Sequence, residues 1–136
     1  MHPVLVQVSV GELLDKLVIL ELKAARIPGE EQQRNARAKL TLLQESFAEL
    51  ALNIDGLDML IDSLRRVNGK LWDIENAIRA CEYERRFDDE FIALARSVYI
   101  NNDERAALKA SINALCGSHL CEEKHYTQYE RRECVA

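Results

Sequence analysis

The sequence predicts an all-α protein, a bundle of about four helices in antiparallel hairpins with a short extended N-terminal arm. Three observations point there. The 136 residues include only five Gly and two Pro, so long helices are expected rather than many turns. Apolar residues recur at spacings of three and four along most of the chain, the period of a helix with one buried face. The breaks between these stretches, at Pro28-Gly29, Asn53–Gly56 and around Phe87, are short, and short connections make antiparallel neighbours.

The length fits one domain over residues 1–136, able to bury roughly two thirds of its unfolded surface. Hydrophobic residues make up 48% and charged residues 30%, a soluble globular mixture. The net charge is −5, which argues against nonspecific nucleic-acid binding, because that depends on neutralising phosphates. The start of the chain lacks a basic region and a small-residue cleavage site, so no secretory signal is expected. Apolar runs are too short to span a bilayer. A cytoplasmic location follows, where Cys81, Cys116, Cys121 and Cys134 are expected as thiols rather than disulfides.

Residues 1–8 form the arm, and Pro3–Val8 reads as an extended segment or one short strand. A lone strand is not stable. It must lie on a helical groove, pair with the C-terminal tail, or pair with another subunit. The first helix is expected over 9–27. Ser9 and Glu12 have capping-box spacing, and Leu13, Leu17, Leu20, Ala24 and Ile27 form a seam that Leu14 and Val18 widen. Glu12, Lys16, Lys23 and Arg26 read as a solvated stripe. The second helix, 30–52, is polar almost all round at its start and carries Leu40, Leu43 and Phe47 later.

The third helix, 57–86, has the best heptad: Leu57, Leu60 or Ile61, Leu64, Val67, Leu71, Ile74, Ile78 and Cys81. Its length suits projection, a bend at Gly69 or dimerisation. Trp72 lies within a polar stripe of Arg65, Asn68, Glu75, Arg79 and Glu82. There it shields the seam or forms one wall of a cleft.

The fourth helix, 88–116, is capped by Asp88 and closed by Gly117. An uninterrupted helix would place Asn102, Arg105 and Lys109 in the middle of the apolar face of Phe91, Leu94 and Val98. Unpaired charge there is costly. Two readings follow. In the first, the helix stops near Ile100 and restarts at Asn102, which resets its phase and moves the cations to the flank. In the second, the cations line a semi-buried pocket. The tail, 117–136, either packs back through Leu120, Tyr126 and Tyr129 or lacks fixed structure.

Cys116, Cys121 and His125 make a C-x4-C-x3-H run of zinc-type donors, but the spacing is not a paired CxxC, and no metal site or cofactor is expected. No phosphate-binding loop, dinucleotide fingerprint or nucleophile elbow is present. The remaining chemistry is cationic and amidic: Arg105, Lys109, Asn102, Arg79 and, as an aromatic wall, Trp72. Such a groove suits a carboxylate or phosphate by charge-assisted hydrogen bonds, unless Glu75, Glu82 and Asp103 neutralise it.

Ser9–Ile27, Leu94–Asn113 and Glu122–Tyr126, linked by Asn68, Leu71, Trp72, Ile74, Glu75 and Cys81-Glu82, form a set that resembles a bacterial family catalogued only as a domain of unknown function. The resemblance implies no activity. It implies that the domain runs through Tyr126, with Thr127–Ala136 an appendage. The leading expectation is a non-catalytic cytoplasmic helical adaptor or protein-interaction module. A homodimer is expected because the first and third helices carry more seam than a small bundle needs. The alternative is a small anionic-ligand-binding protein or enzyme with a cationic inter-helix pocket.

Overall fold

The structure is a computed structural model and describes residues 1–120, 123 and 125–129. Among them the chain forms α1 (Val10–Arg26), α2 (Glu30–Glu49), α3 (Leu57–Tyr83) and α4 (Asp89–Cys116). α1 and α4 begin or end on signals written in the sequence. The Ser9 hydroxyl accepts from the Glu12 backbone N–H at 3.1 Å, which satisfies one of the free donors of the first turn. Asp88 does the same for the Phe91 N–H at 3.2 Å. Gly117, left-handed at φ 63°, lets the chain turn so that the Ser118 N–H reaches the Asn113 carbonyl at 2.9 Å.

Two helices stop earlier than periodicity suggests. α2 ends at Glu49, not Leu52, and Ala51 is left-handed at φ 47°. α3 ends at Tyr83, not Arg86. Arg85 turns left-handed at φ 53° and the Arg86 N–H closes on the Cys81 carbonyl at 2.9 Å. An apolar pattern does not report such a turn, because it is a property of backbone dihedrals.

α3 and α4 form the long hairpin. α1 packs against both, and α2 packs on α1 alone among the described helices. The core is built from Leu14, Leu17 and Val18 of α1, Leu57, Ile61, Leu64 and Val67 of α3, and Ile112 of α4. Burying such side chains supplies the main stabilisation, about 1.5–3 kcal/mol each. Leu40, Leu43 and Phe47 of α2 are partly buried against that core. The core therefore draws on the first half of α3 and the last half of α4. Farther out along the hairpin, Leu71, Ile74, Ile78, Phe91, Leu94 and Val98 are only half-buried. No helix among the described residues is long and apolar enough to cross a membrane.

The expected restart at Asn102 does not occur. α4 runs unbroken from Asp89 to Cys116, and the Asn101 side-chain amide donates to the Ser97 carbonyl at 2.8 Å within it. Asn102, Arg105 and Lys109 consequently stay on the inward stripe, and α1 supplies their partners. The arm also differs from the strand reading. Residues 1–8 have no regular structure, and no strand occurs among the described residues.

α1 and α4 approach closely at Gly11. A Cβ there would stand 2.6 Å from the Lys109 carbonyl oxygen and 2.9 Å from Asn113 Oδ1. Gly11→Ala is expected to cost about 1–3 kcal/mol through this overpacking, more than the helix-propensity gain of about 1 kcal/mol or less. Denaturant unfolding checks it, and an unchanged or raised midpoint would refute the close approach. A second expectation concerns acid. The Phe91 N–H, and then Arg86, hold the Asp88 carboxyl below its ordinary value of 3.8. A lowered folded value means that this stabilisation is present above 3.8 and is lost as pH falls through the lower folded value. Asp88→Ser, a cap that does not titrate, should lose less stability than wild type over that window in paired melts. Parallel pH profiles would count against the Asp88 contribution.

Candidate functional site

A carboxylate buried in a helical core must be met by donors from other elements. Asp15 of α1 is only 1% exposed. Arg105 of α4 grips it side-on, with Nε 3.0 Å from Oδ1 and Nη2 2.7 Å from Oδ2. This two-pronged geometry is the strongest pairing a guanidinium makes with a carboxylate. Asn68 of α3 donates to Asp15 Oδ1 at 2.9 Å and to the Leu64 carbonyl at 3.1 Å. One carboxylate thus ties three helices together.

One turn earlier on α1, Glu12 accepts from Lys109 Nζ at 2.5 Å, and Lys16 approaches its other oxygen at 3.5 Å. Lys109 Nζ also stands 3.8 Å from Asp15 Oδ2. The Gly11 backbone N–H, a free donor at the helix start, gives its bond to Asn113 Oδ1 at 2.7 Å. These partners run in reverse order along α4, which fixes α1 and α4 as antiparallel.

The sequence-predicted site residues divide. Trp72, Arg79, Asn102 and Arg105 line one groove of about 490 Å³ between α1, α3 and α4, together with Ile19, Leu22, Asn68, Leu71, Glu75 and Asn76. Lys109 is not in that groove. It lines a neighbouring cavity of about 650 Å³, where Tyr126–Tyr129 of the tail lie over Val98, Tyr99, Asn102 and Arg105. The rings of Tyr99 and Tyr129 are 5.3 Å apart, so this part of the tail does pack back. Arg105 also reaches a third hollow of about 460 Å³ between α1 and α2, with Glu12, Asp15 and Lys39.

Neutralisation comes partly from where it was expected. Glu75 pairs with Arg79 at 3.2 Å. Arg105 and Lys109 instead meet Asp15 and Glu12, two acids of α1. Asp15 is the residue that sequence reasoning missed. A signal was present: it stands four residues after the small Gly11 and three before Val18, on the buried phase of the helix. Glu12, read as part of a solvated stripe, is half-buried and turned towards α4. Of the C-x4-C-x3-H run, Cys121 lies outside the described residues, as does Cys134. Cys116 is half-buried, and burial pushes its thiol up.

The model of a family of unknown function (DUF6165) matches residues 4–131, so the chain belongs to that family. No curated protein and no solved structure matches it. The family's span begins inside the exposed arm. It also runs past Tyr126, so residues 127–131 are part of it rather than of an appendage.

The ion cluster is expected to be a stability determinant. Asp15→Ala should cost about 3–5 kcal/mol, because it leaves Arg105 and Asn68 without their buried acceptor. Asp15→Leu combined with Arg105→Met should recover most of that loss, since an apolar pair of similar volume has no charge to desolvate. Chemical denaturation of both variants decides. Equal losses would mean that packing, not charge pairing, sets the cost.

Proposed function

We propose that this member of the family is a non-catalytic protein-interaction module of the cytoplasm, that it forms homodimers, and that the arm before α1 is the docking element. One observation carries the reading. Val4, Leu5 and Val6 are 85%, 91% and 75% exposed, although the family's span begins at residue 4. An apolar, β-branched segment held in water gains nothing for the monomer. An extended backbone also offers a row of N–H and C=O groups to a second strand.

Of the three fates open to such an arm, two fit the structure poorly. It does not sit in a groove of its own bundle, and it forms no strand with the described part of the tail. Pairing with the same arm of a second copy remains, which satisfies both backbones and buries both apolar rows. The half-buried seam of the outer hairpin offers further surface to that copy. Cys81 and Cys116 are free thiols, which fits a reducing compartment.

The alternative reading, a cationic pocket for an anion, is weakened by the pairing already described. An incoming anion would have to displace Asp15 from Arg105, Glu12 from Lys109 or Glu75 from Arg79, and would gain only the difference.

Light scattering on the eluting protein tests the proposal. At about 100 µM, well above a micromolar dissociation constant, wild type should have about twice the 15.6 kDa chain mass. Removal of residues 1–7, which leaves Ser9 to cap α1, should give a monomer with unchanged helical circular dichroism. Leu5→Asp should weaken association at least about tenfold. A monomeric wild type, or a dimer that survives the deletion, would refute the arm's role.

A further inference from the structure

The groove between α1, α3 and α4 has a chemistry of its own, independent of the arm. Its charged lining is self-neutralised. Arg79 pairs with Glu75 inside the lining, and Arg105 is paired from behind the wall by the buried Asp15, so each cation of the groove has a carboxylate partner. Asn76 and Asn102 add amides, each with donors and an acceptor. Trp72, half-buried, forms the aromatic wall, and Ile19 and Leu22 contribute apolar surface from α1. The volume, about 490 Å³, lies within the range of small-molecule sites.

We propose that this groove binds the uncharged sugar ring of a polyhydroxylated ligand, with its C–H face against Trp72 and its hydroxyls among Glu75, Asn76, Arg79, Asn102 and Arg105. A hydroxyl is both donor and acceptor. It is best met by a rim that mixes both kinds, as amides and guanidinium–carboxylate pairs do. A rim selected for an anion would present donors in excess. A sugar also has one apolar face and a polar perimeter, which matches an aromatic wall bordered by polar groups. Arg105 is already immobilised by Asp15, so little side-chain entropy is lost when a ligand uses it. The same sugar chemistry is presented by a free monosaccharide, by the end of a glycan or by a nucleotide-activated sugar.

Trp72 is the sole tryptophan of the chain, so its fluorescence reports on the groove alone. The 136-residue protein is titrated with glucose, galactose, mannose and N-acetylglucosamine to about 100 mM, which reaches the millimolar affinities of single-ring ligands. Inorganic phosphate and succinate are titrated in parallel. The expected result is a saturable change with at least one sugar that neither anion reproduces or competes away. The corresponding oligosaccharide and nucleotide sugar separate the sources. A gain of about tenfold or more for one of them assigns that source, and no gain assigns the free monosaccharide. Arg79→Ala removes an 80% exposed side chain, and is expected to weaken binding several-fold with an unchanged melt. Trp72→Leu, followed by calorimetry because it lacks the reporter, should abolish binding. The proposal is overturned if no sugar changes the emission, if only the anions do, or if both variants bind as wild type does.

Discussion

Asp15 must be met by hydrogen-bond donors wherever it is buried, and its position on α1 buries it. Everything around it answers that requirement. A carboxylate 1% exposed would be prohibitive alone. Gripped by Arg105 and Asn68 it becomes a fixed point shared by three helices. The same contact explains α4. A helix with Asn102, Arg105 and Lys109 on its inward stripe would break or twist if that stripe met only hydrocarbon. It runs unbroken, and α1 presents two acids, one turn apart, at matching heights. The glycine at position 11 allows the approach that brings those acids into range.

This pairing also limits the chemistry available. Cations that read in the sequence as an anion site are, in the fold, halves of internal pairs. A pre-existing carboxylate partner is a competitor for any anionic ligand. What survives is a rim of balanced donors and acceptors beside one tryptophan. The proposed sugar ligand would be selected there by shape and hydrogen-bond pattern rather than by charge.

The surface divides into a settled part and an unsettled part. α1, the first half of α3 and the last half of α4 close a core with little left open. The outer hairpin and the arm do not. Ile92, Tyr83 and Phe87 are exposed there, and the seam between α3 and α4 is half-covered. The proposed docking role draws on this uncovered apolar surface. The family's span takes in residues 4–8 of the arm and residues 127–131, so parts of both flanking segments lie within it.

Much of the architecture was legible in the residues. Ser9, Asp88 and Gly117 marked helix termini because capping is a local reaction between one side chain or dihedral and the adjacent backbone. The seams of α1 and α3 were legible because burial recurs with the helical period. The sequence also flagged Arg105 and Lys109 as anomalies on an apolar phase. It could not say what resolved the anomaly, because Asp15 and Arg105 are 90 positions apart, and no local rule links them. Nor could it separate a break at Asn102 from a continuous helix, since Asn followed by acids signals a helix start as readily as it sits within one. Only the packing of α1 on α4 decided that, by setting acids against cations and so removing the reason to break. The sequence by itself determined the helices and most of their ends. The tertiary structure decided which charges were spoken for, because that depends on which helices meet and in what register.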